Sequence, residues 1–221
     1  MRPDTPIRTV VQCDFDDTIV LQNMNRVVLE RFACGDWLSI EERYAQGGIT
    51  VERSNQLQWL LVNGTREEIQ ELALSEARVR QGFSRFVGSC RERGVRLVVV
   101  SNGLDIYIEP VLDRLGLSDL ELYSGTVDFT PEGLKVKYVD PSGVETDKGF
   151  KLACQEHLRV SADCMVYIGD GTSDVAPALR SDLVLARSTL AREMEARGHP
   201  FTAFETFDDV AKALTEWLGP C

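Results

Sequence analysis

Histidine is scarce in this chain, with only His157 and His199 among 221 residues. The six cysteines, at 13, 34, 90, 154, 164 and 221, form no Cys-x-x-Cys pair. Together these scarcities argue against a zinc site, whose ligands come as closely spaced Cys and His. Gly-x-Ser-x-Gly is also missing, and both histidines lie in plain helix or turn contexts, so a serine–histidine acyl hydrolase is not expected. No stretch approaches the roughly 20 apolar residues of a membrane span. The opening Met1-Arg2-Pro3-Asp4-Thr5-Pro6 lacks the apolar core of a signal segment, so reduced, cytoplasmic thiols are expected in place of disulfides. Positive charge is in short supply: 24 Lys and Arg stand against 35 Asp and Glu, a net charge of −11. Nucleic-acid binding needs clustered cations and is not expected. An anionic substrate would need a metal or a placed cation.

What is present is ordinary globular material, 43% hydrophobic and 27% charged. Apolar, β-branched runs at Thr9–Cys13, Val95–Val100, Met165–Ile168 and Leu183–Ala186 read as buried strands. A short strand is expected near Leu120–Tyr123, and Thr130-Pro131-Glu132-Gly133 marks a hairpin between two more. Helical periodicity separates the strands, and alternation of this kind predicts a doubly wound, mainly parallel α/β sheet (Rossmann-like). Residues 22–79 break the alternation with four short helical stretches. The fourth opens on Thr65 with Glu68 three residues on, a capping box. The expected organisation is an α/β core of 1–21 and 80–221, with a small helical cap, 22–79, inserted after the first strand. The last helix follows Thr206, with Phe207, Val210, Ala211, Leu214, Trp217 and Leu218 as its core-facing stripe.

Ligands of open parallel sheets bind at the carboxyl ends of strands. Three predicted strands end there in chemistry: Asp14 and Asp16, then Ser101-Asn102, then Gly169-Asp170 with Asp174 following. Asp14 and Asp16 share one side if strand geometry persists, and two such carboxylates repel unless a cation lies between them. Carboxylate oxygens from Asp14 and Asp170 suit Mg²⁺. With a metal in place, Asp14 could stay ionised and attack phosphorus, while Asp16 exchanges a proton with the leaving oxygen and with water. Ser101 could donate to a phosphoryl oxygen, and Lys148 could neutralise another, with Lys151 as its rival one turn later. Thr18 supports the loop or reaches phosphate. Asp174 is a site residue or only a helix cap.

Asp14-Phe15-Asp16-Asp17-Thr18, Ser101-Asn102-Gly103, Lys148-Gly149 and Gly169-Asp170-Gly171-Thr172-Ser173-Asp174 resemble the four ordered motifs of the haloacid dehalogenase superfamily of phosphatases. The resemblance implies Asp14 as nucleophile and Asp16 as acid/base. Thr18, Ser101, Asn102 and Lys148 become the phosphate holders. Asp14, Asp170, Asp174 and the backbone carbonyl of Asp16 are assigned to Mg²⁺. A helical cap between the first two motifs resembles the phosphoserine phosphatase-like branch. Within it, Val79-Arg80-Gln81-Gly82-Phe83 and Phe204-Glu205-Thr206-Phe207-Asp208-Asp209-Val210 resemble the 2-hydroxy-3-keto-5-methylthiopentenyl-1-phosphate phosphatases of methionine salvage. The stretch 136–147 departs from them, since it holds neither Cys nor His. The implied protein is a monomeric or homodimeric phosphatase of a small phosphorylated metabolite, with no nucleic-acid or membrane partner. Phosphoserine is the alternative substrate, and a phospho-accepting receiver module is the alternative class.

Overall fold

The computed structural model describes residues 8–219; the opening segment and Cys221 lie outside the described residues. Among the described residues, seven strands form one sheet: β1 (Thr9–Cys13), β2 (Arg96–Leu104), β3 (Glu121–Thr130), β4 (Gly133–Lys137), β5 (Cys164–Gly169), β6 (Leu183–Ala186) and β7 (Thr202–Ala203). Their order is β4-β3-β2-β1-β5-β6-β7, parallel throughout except for the β3–β4 edge. This is the doubly wound α/β sheet expected. The central strand β1 is flanked on both sides, and all five of its residues are buried, as its run of β-branched residues requires.

Three strand readings need correction. β2 does not stop at Val100 but runs on through Ser101-Asn102-Gly103 to Leu104, with a register shift against β3 between Val100 and Leu104. A bulge of this kind re-aims side chains beside a site. The two segments expected near 120–129 are one strand, β3. The 187–203 region, left without elements by sequence reading, holds a helix (Ser188–Ala196) and the two-residue β7.

Between β1 and the helix α5 (Phe83–Glu92) lie four helices, α1 (Met24–Phe32), α2 (Trp37–Ala45), α3 (Val51–Trp59) and α4 (Arg66–Glu76). The chain leaves and re-enters the sheet side by side: Val20 and Val79 form an antiparallel bridge, with Leu21 N–H donating to Arg78 O and Arg80 N–H to Ile19 O. Side-chain caps start these four helices, at Asn23, Asp36, Thr50 and the expected Thr65. Thr65 and Glu68 form a reciprocal capping box, and α3 begins on Thr50. α6 (Asp105–Arg114) packs against α4, and α7 (Phe150–Arg159) packs against β1 and β2. α8 (Val175–Ala178) and α9 (Ser188–Ala196) follow β5 and β6, and α10 (Phe207–Leu218) packs against α5, burying Phe207, Val210 and Leu214, whereas Trp217, expected on the same core-facing stripe, is exposed.

Candidate active site

The site starts where β1 ends. Asp14 N–H continues the ladder by one bond to Ile168 O (2.9 Å), and then the chain turns. The amides of Thr18, Ile19 and Val20 all donate to Phe15 O, and Asp17 takes a left-handed φ of 56°. Asp14 and Asp16 thus reach the same cavity through a turn, not through continued strand alternation. Two buried or half-buried arginines grip this turn from behind. Arg80 donates to Thr18 O and Asp17 O, both at 2.7 Å, and Arg187 to Asp17 O at 2.8 Å. Sequence reasoning gave neither arginine a role, although Arg187 directly follows the last residue of β6.

A cavity of about 520 Å³ opens above the carboxyl ends of β1, β2 and β5. Asp14, Asp16, Ser101, Asn102, Lys151 and Asp170 line its floor. Asp14 is 6% exposed, and its Oδ1 accepts Phe15 N–H at 2.8 Å and pairs with Lys151 Nζ at 2.7 Å. Among the described residues Oδ2 has no hydrogen-bond partner. Lys151 Nζ also meets Asp174 Oδ1 at 2.6 Å, and Gln12 Nε2 donates to its carbonyl at 3.0 Å. Burial works to lower the Lys151 pKa, but Asp14 and Asp174 outweigh it and leave it raised.

The lysine expected to face phosphate therefore needs correction. Lys148 is exposed and does not line the cavity. Gly149, at φ 68°, turns the chain so that α7 begins at Phe150 and carries Lys151 inward. Thr18 is also reassigned. It is fully buried and does not line the cavity, and its hydroxyl donates to Asp170 Oδ1 at 3.2 Å. Asn102 lines the floor, but its amide nitrogen donates to Glu52 Oε1 at 3.2 Å. Ser101 Oγ accepts Gly103 N–H at 2.9 Å, which leaves its O–H able to donate into the cavity.

Asp14, Asp170 and Asp174 offer oxygens that lie within 4.8 Å of one another. Asp174 is fully buried and already committed. Its Oδ1 takes Lys151 and Tyr167, and its Oδ2 takes the amides of Asp170 and Gly171. It braces the loop and the lysine while standing in the same carboxylate cluster as Asp14 and Asp170. Asp14, Asp170 and Asp174 form an all-oxygen donor set that fits a hard divalent cation. Electrostatics point the same way. Burial, then the charges of Asp14 and Asp174, push Asp170 up to about 8. Burial lifts Asp14 to about 6 against the pull of Lys151. One ammonium is too little positive charge for this many carboxylates.

Asp16 has its own holders. Its Oδ1 accepts Met24 N–H at 2.7 Å, from the first residue of α1, and its Oδ2 accepts the buried Tyr107 hydroxyl at 3.0 Å. Burial raises it to about 7, the Met24 bond opposing. The insertion roofs the cavity with Asn25, Tyr44, Ser54, Asn55 and Gln58, all neutral, and with Leu29 and Val51. Among the described residues Arg26 is the one cation on the roof, beside the acidic Glu41, and it is paired with Glu30 (2.8 Å) and Glu41 (3.6 Å). Trp59, read as packing, is buried, with its indole N–H donating to Asn25 Oδ1 at 2.6 Å. Tyr107 and Glu52 escaped the sequence reading. The signal for Glu52 was its place on the same helical face as Asn55 and Trp59.

Comparisons with known proteins agree with this geometry. The family model described as haloacid dehalogenase-like hydrolase matches residues 11–180. A 2-hydroxy-3-keto-5-methylthiopentenyl-1-phosphate phosphatase of Brevibacillus brevis is 30% identical over 213 residues, covering 95% of this chain and 96% of that protein. One of Geobacillus thermodenitrificans is 31% identical over 210 residues, covering 93% and 94%. Among solved structures, a phospho-aspartyl intermediate analogue of phosphoserine phosphatase superposes with a TM-score of 0.70 at 17% identity, covering 94% of this chain and 99% of that one. A phosphoserine phosphohydrolase-like protein from Francisella tularensis also gives 0.70, at 19% identity, over 95% and 100%. At such identities the structural matches speak for the fold.

Proposed function

We propose, from the premise that the chain belongs to the haloacid dehalogenase-like hydrolases and is a phosphatase, that it hydrolyses a small phosphate monoester through an aspartyl-phosphate on Asp14. One observation carries the reading: Asp14 is held at the cavity floor by Lys151 through one oxygen, while its other oxygen is free of hydrogen bonds among the described residues. That Oδ2 attacks phosphorus in line with the ester oxygen, forming the acyl phosphate as the P–O bond to the leaving group breaks. Asp16, lifted to about 7, gives its proton to the departing oxygen. It then takes a proton from the water that attacks phosphorus and releases Asp14. Lys151 and the Ser101 hydroxyl hold phosphoryl oxygens. Asp14, Asp170, Asp174 and the Asp16 carbonyl are the residues that would hold Mg²⁺, which when bound offsets carboxylate repulsion and polarises phosphoryl oxygen. The helices of 22–79 serve as the cap that excludes water.

The cap roof favours a neutral leaving group. A free amino acid brings a carboxylate and an ammonium, and Arg26 is already engaged by two glutamates. The neutral amides and hydroxyls suit hydroxyl and keto groups, and Leu29 and Val51 suit an apolar tail. This supports 2-hydroxy-3-keto-5-methylthiopentenyl-1-phosphate, as in the named relatives, and a place in methionine salvage, ahead of phosphoserine. Phosphate release from a panel holding that ester, phosphoserine and pyridoxal phosphate, with Asp14→Asn as blank, tests it. The methylthiopentenyl ester is expected to give the highest kcat/KM; preference for phosphoserine would overturn the substrate, and no Mg²⁺-dependent turnover of any ester would overturn the reading.

A further inference from the structure

We infer that Glu52 is a positioning residue: from the helical insertion, its carboxylate caps the N-terminus of α7 and so fixes Lys151 against Asp14 only while the insertion is docked. The inference rests on the reading of the cavity as a phosphatase site. Glu52 is 2% exposed. No Lys or Arg pairs with it among the described residues. Its Oε1 accepts Phe150 N–H at 2.9 Å and Asn102 Nδ2 at 3.2 Å. A buried carboxylate needs such donors, and the positive end of a helix is a favourable place for it. The helix in turn needs the carboxylate. Its N-cap is Gly149, which has no side chain to satisfy the first amides. Glu52 supplies across the interface the cap that α7 lacks in its own sequence.

Lys151 is the second residue of α7, next to the capped amide. Gln12 holds the Lys151 carbonyl from the sheet side, and Glu52 fixes the turn from the insertion side. The same helix α3 contributes two further ties. The Thr50 hydroxyl donates to Asp147 O, and Asn55 Nδ2 donates to Asn102 O (2.8 Å) and to the Tyr138 hydroxyl (2.7 Å). One helix of the insertion thus ties the end of β2, which carries Ser101-Asn102, to the start of α7, which carries Lys151. Withdrawing it strands the Phe150 amide and loosens the lysine. Docking over substrate completes the site.

The test measures kcat, KM, melting temperature and hydrogen exchange at the Phe150 amide in wild type, Glu52→Ala, Glu52→Gln and Thr65→Ala. Loss of lysine placement should lower kcat about tenfold or more in Glu52→Ala, with KM changing far less. Exchange at Phe150 should quicken. Glu52→Gln keeps an acceptor and should recover part of kcat. Thr65→Ala removes the capping box of α4, so it should lower the melting temperature and leave kcat unchanged. Wild-type kcat in Glu52→Ala, or an unaltered Phe150 exchange rate, would overturn the inference. If Glu52→Ala does not fold, Glu52→Gln decides, since its kcat should still fall and its Phe150 amide still exchange faster than wild type. Exchange needs no turnover, so an inert wild type would sink the phosphatase reading while the clasp could still be read.

Discussion

Lys151 and Lys148 are three positions apart, yet one is buried between two aspartates and the other lies in solvent. Lys151→Ala should therefore lower kcat/KM by about 10²–10³, the usual loss for one buried donor to developing charge. Lys148→Ala should stay near wild type in the same assay. The two could not be told apart in sequence because the choice depends on where α7 begins, and Gly149 sets that with a left-handed φ of 68°. Asp14, Asp16, Ser101 and Asp170 were legible, since carboxylates and hydroxyls at the ends of apolar strands have no folding reason to be there. Thr18 was not, because a hydroxyl two residues past Asp16 fits a loop brace and a phosphate contact equally well. For Asp16 the prediction is a pH profile. Its carboxyl is raised to about 7 mainly by burial, so the acid form prevails below that pH and is lost above it. With an alkyl phosphate, kcat/KM should fall as pH rises through about 7. With p-nitrophenyl phosphate, whose leaving group needs little protonation, the fall should be weak. Asp16→Asn should lose about 10²–10⁴ on the alkyl ester, and less on the aryl one.

At the scale of elements, the bulged end of β2 fits tightly around the site. A Cβ at Gly103 would lie 2.6 Å from the Tyr107 hydroxyl, 2.7 Å from Asp16 Oδ2 and 3.0 Å from Ser101 Oγ. Gly103→Ala must push one of these groups aside. The expected result is a drop in kcat on alkyl esters larger than the drop in melting temperature would suggest, read by kinetics and thermal melts on one preparation. The hydrophobic parts of the elements were legible: β1, β6, α10 and the Thr65 capping box lie where their patterns put them. The continuation of β2 was not, because Ser-Asn-Gly reads as a turn by composition and is extended here only because β3 pairs beyond the bulge, at Leu104–Gly125. Glu52 was missed for a related reason. A charged residue on a short helix looks solvated until the partner amide, nearly 100 residues later, is known.

Across the whole molecule, the carboxylate load of the site sets a pH and metal dependence of stability. Asp14, Asp16 and Asp170 titrate at about 6, 7 and 8 in the fold, against an ordinary carboxylate value near 4. A raised value means that the folded state holds protons the unfolded chain has released. Their contribution is thus fully present below about pH 4 and is lost as pH climbs towards 8. Mg²⁺ competes with the protons on Asp14 and Asp170, so its stabilisation should grow with pH. Calorimetry with and without Mg²⁺ should show a larger rise in melting temperature at pH 8 than at pH 6. An equal rise at both would contradict the proton–metal competition. Among the described residues no helix is long and apolar enough to cross a membrane, and the fold is that of the haloacid dehalogenase-like hydrolases.

The central claim is that phosphate passes through Asp14, and trapping the acyl phosphate tests it most directly. The enzyme is quenched during turnover, reduced with borohydride, which converts an aspartyl-phosphate to homoserine, and mapped by mass spectrometry. The account predicts homoserine at position 14, dependent on substrate and Mg²⁺ and reduced in yield in Lys151→Ala. Homoserine at another aspartate, or an unmodified Asp14 in an enzyme releasing phosphate at full rate, would contradict it.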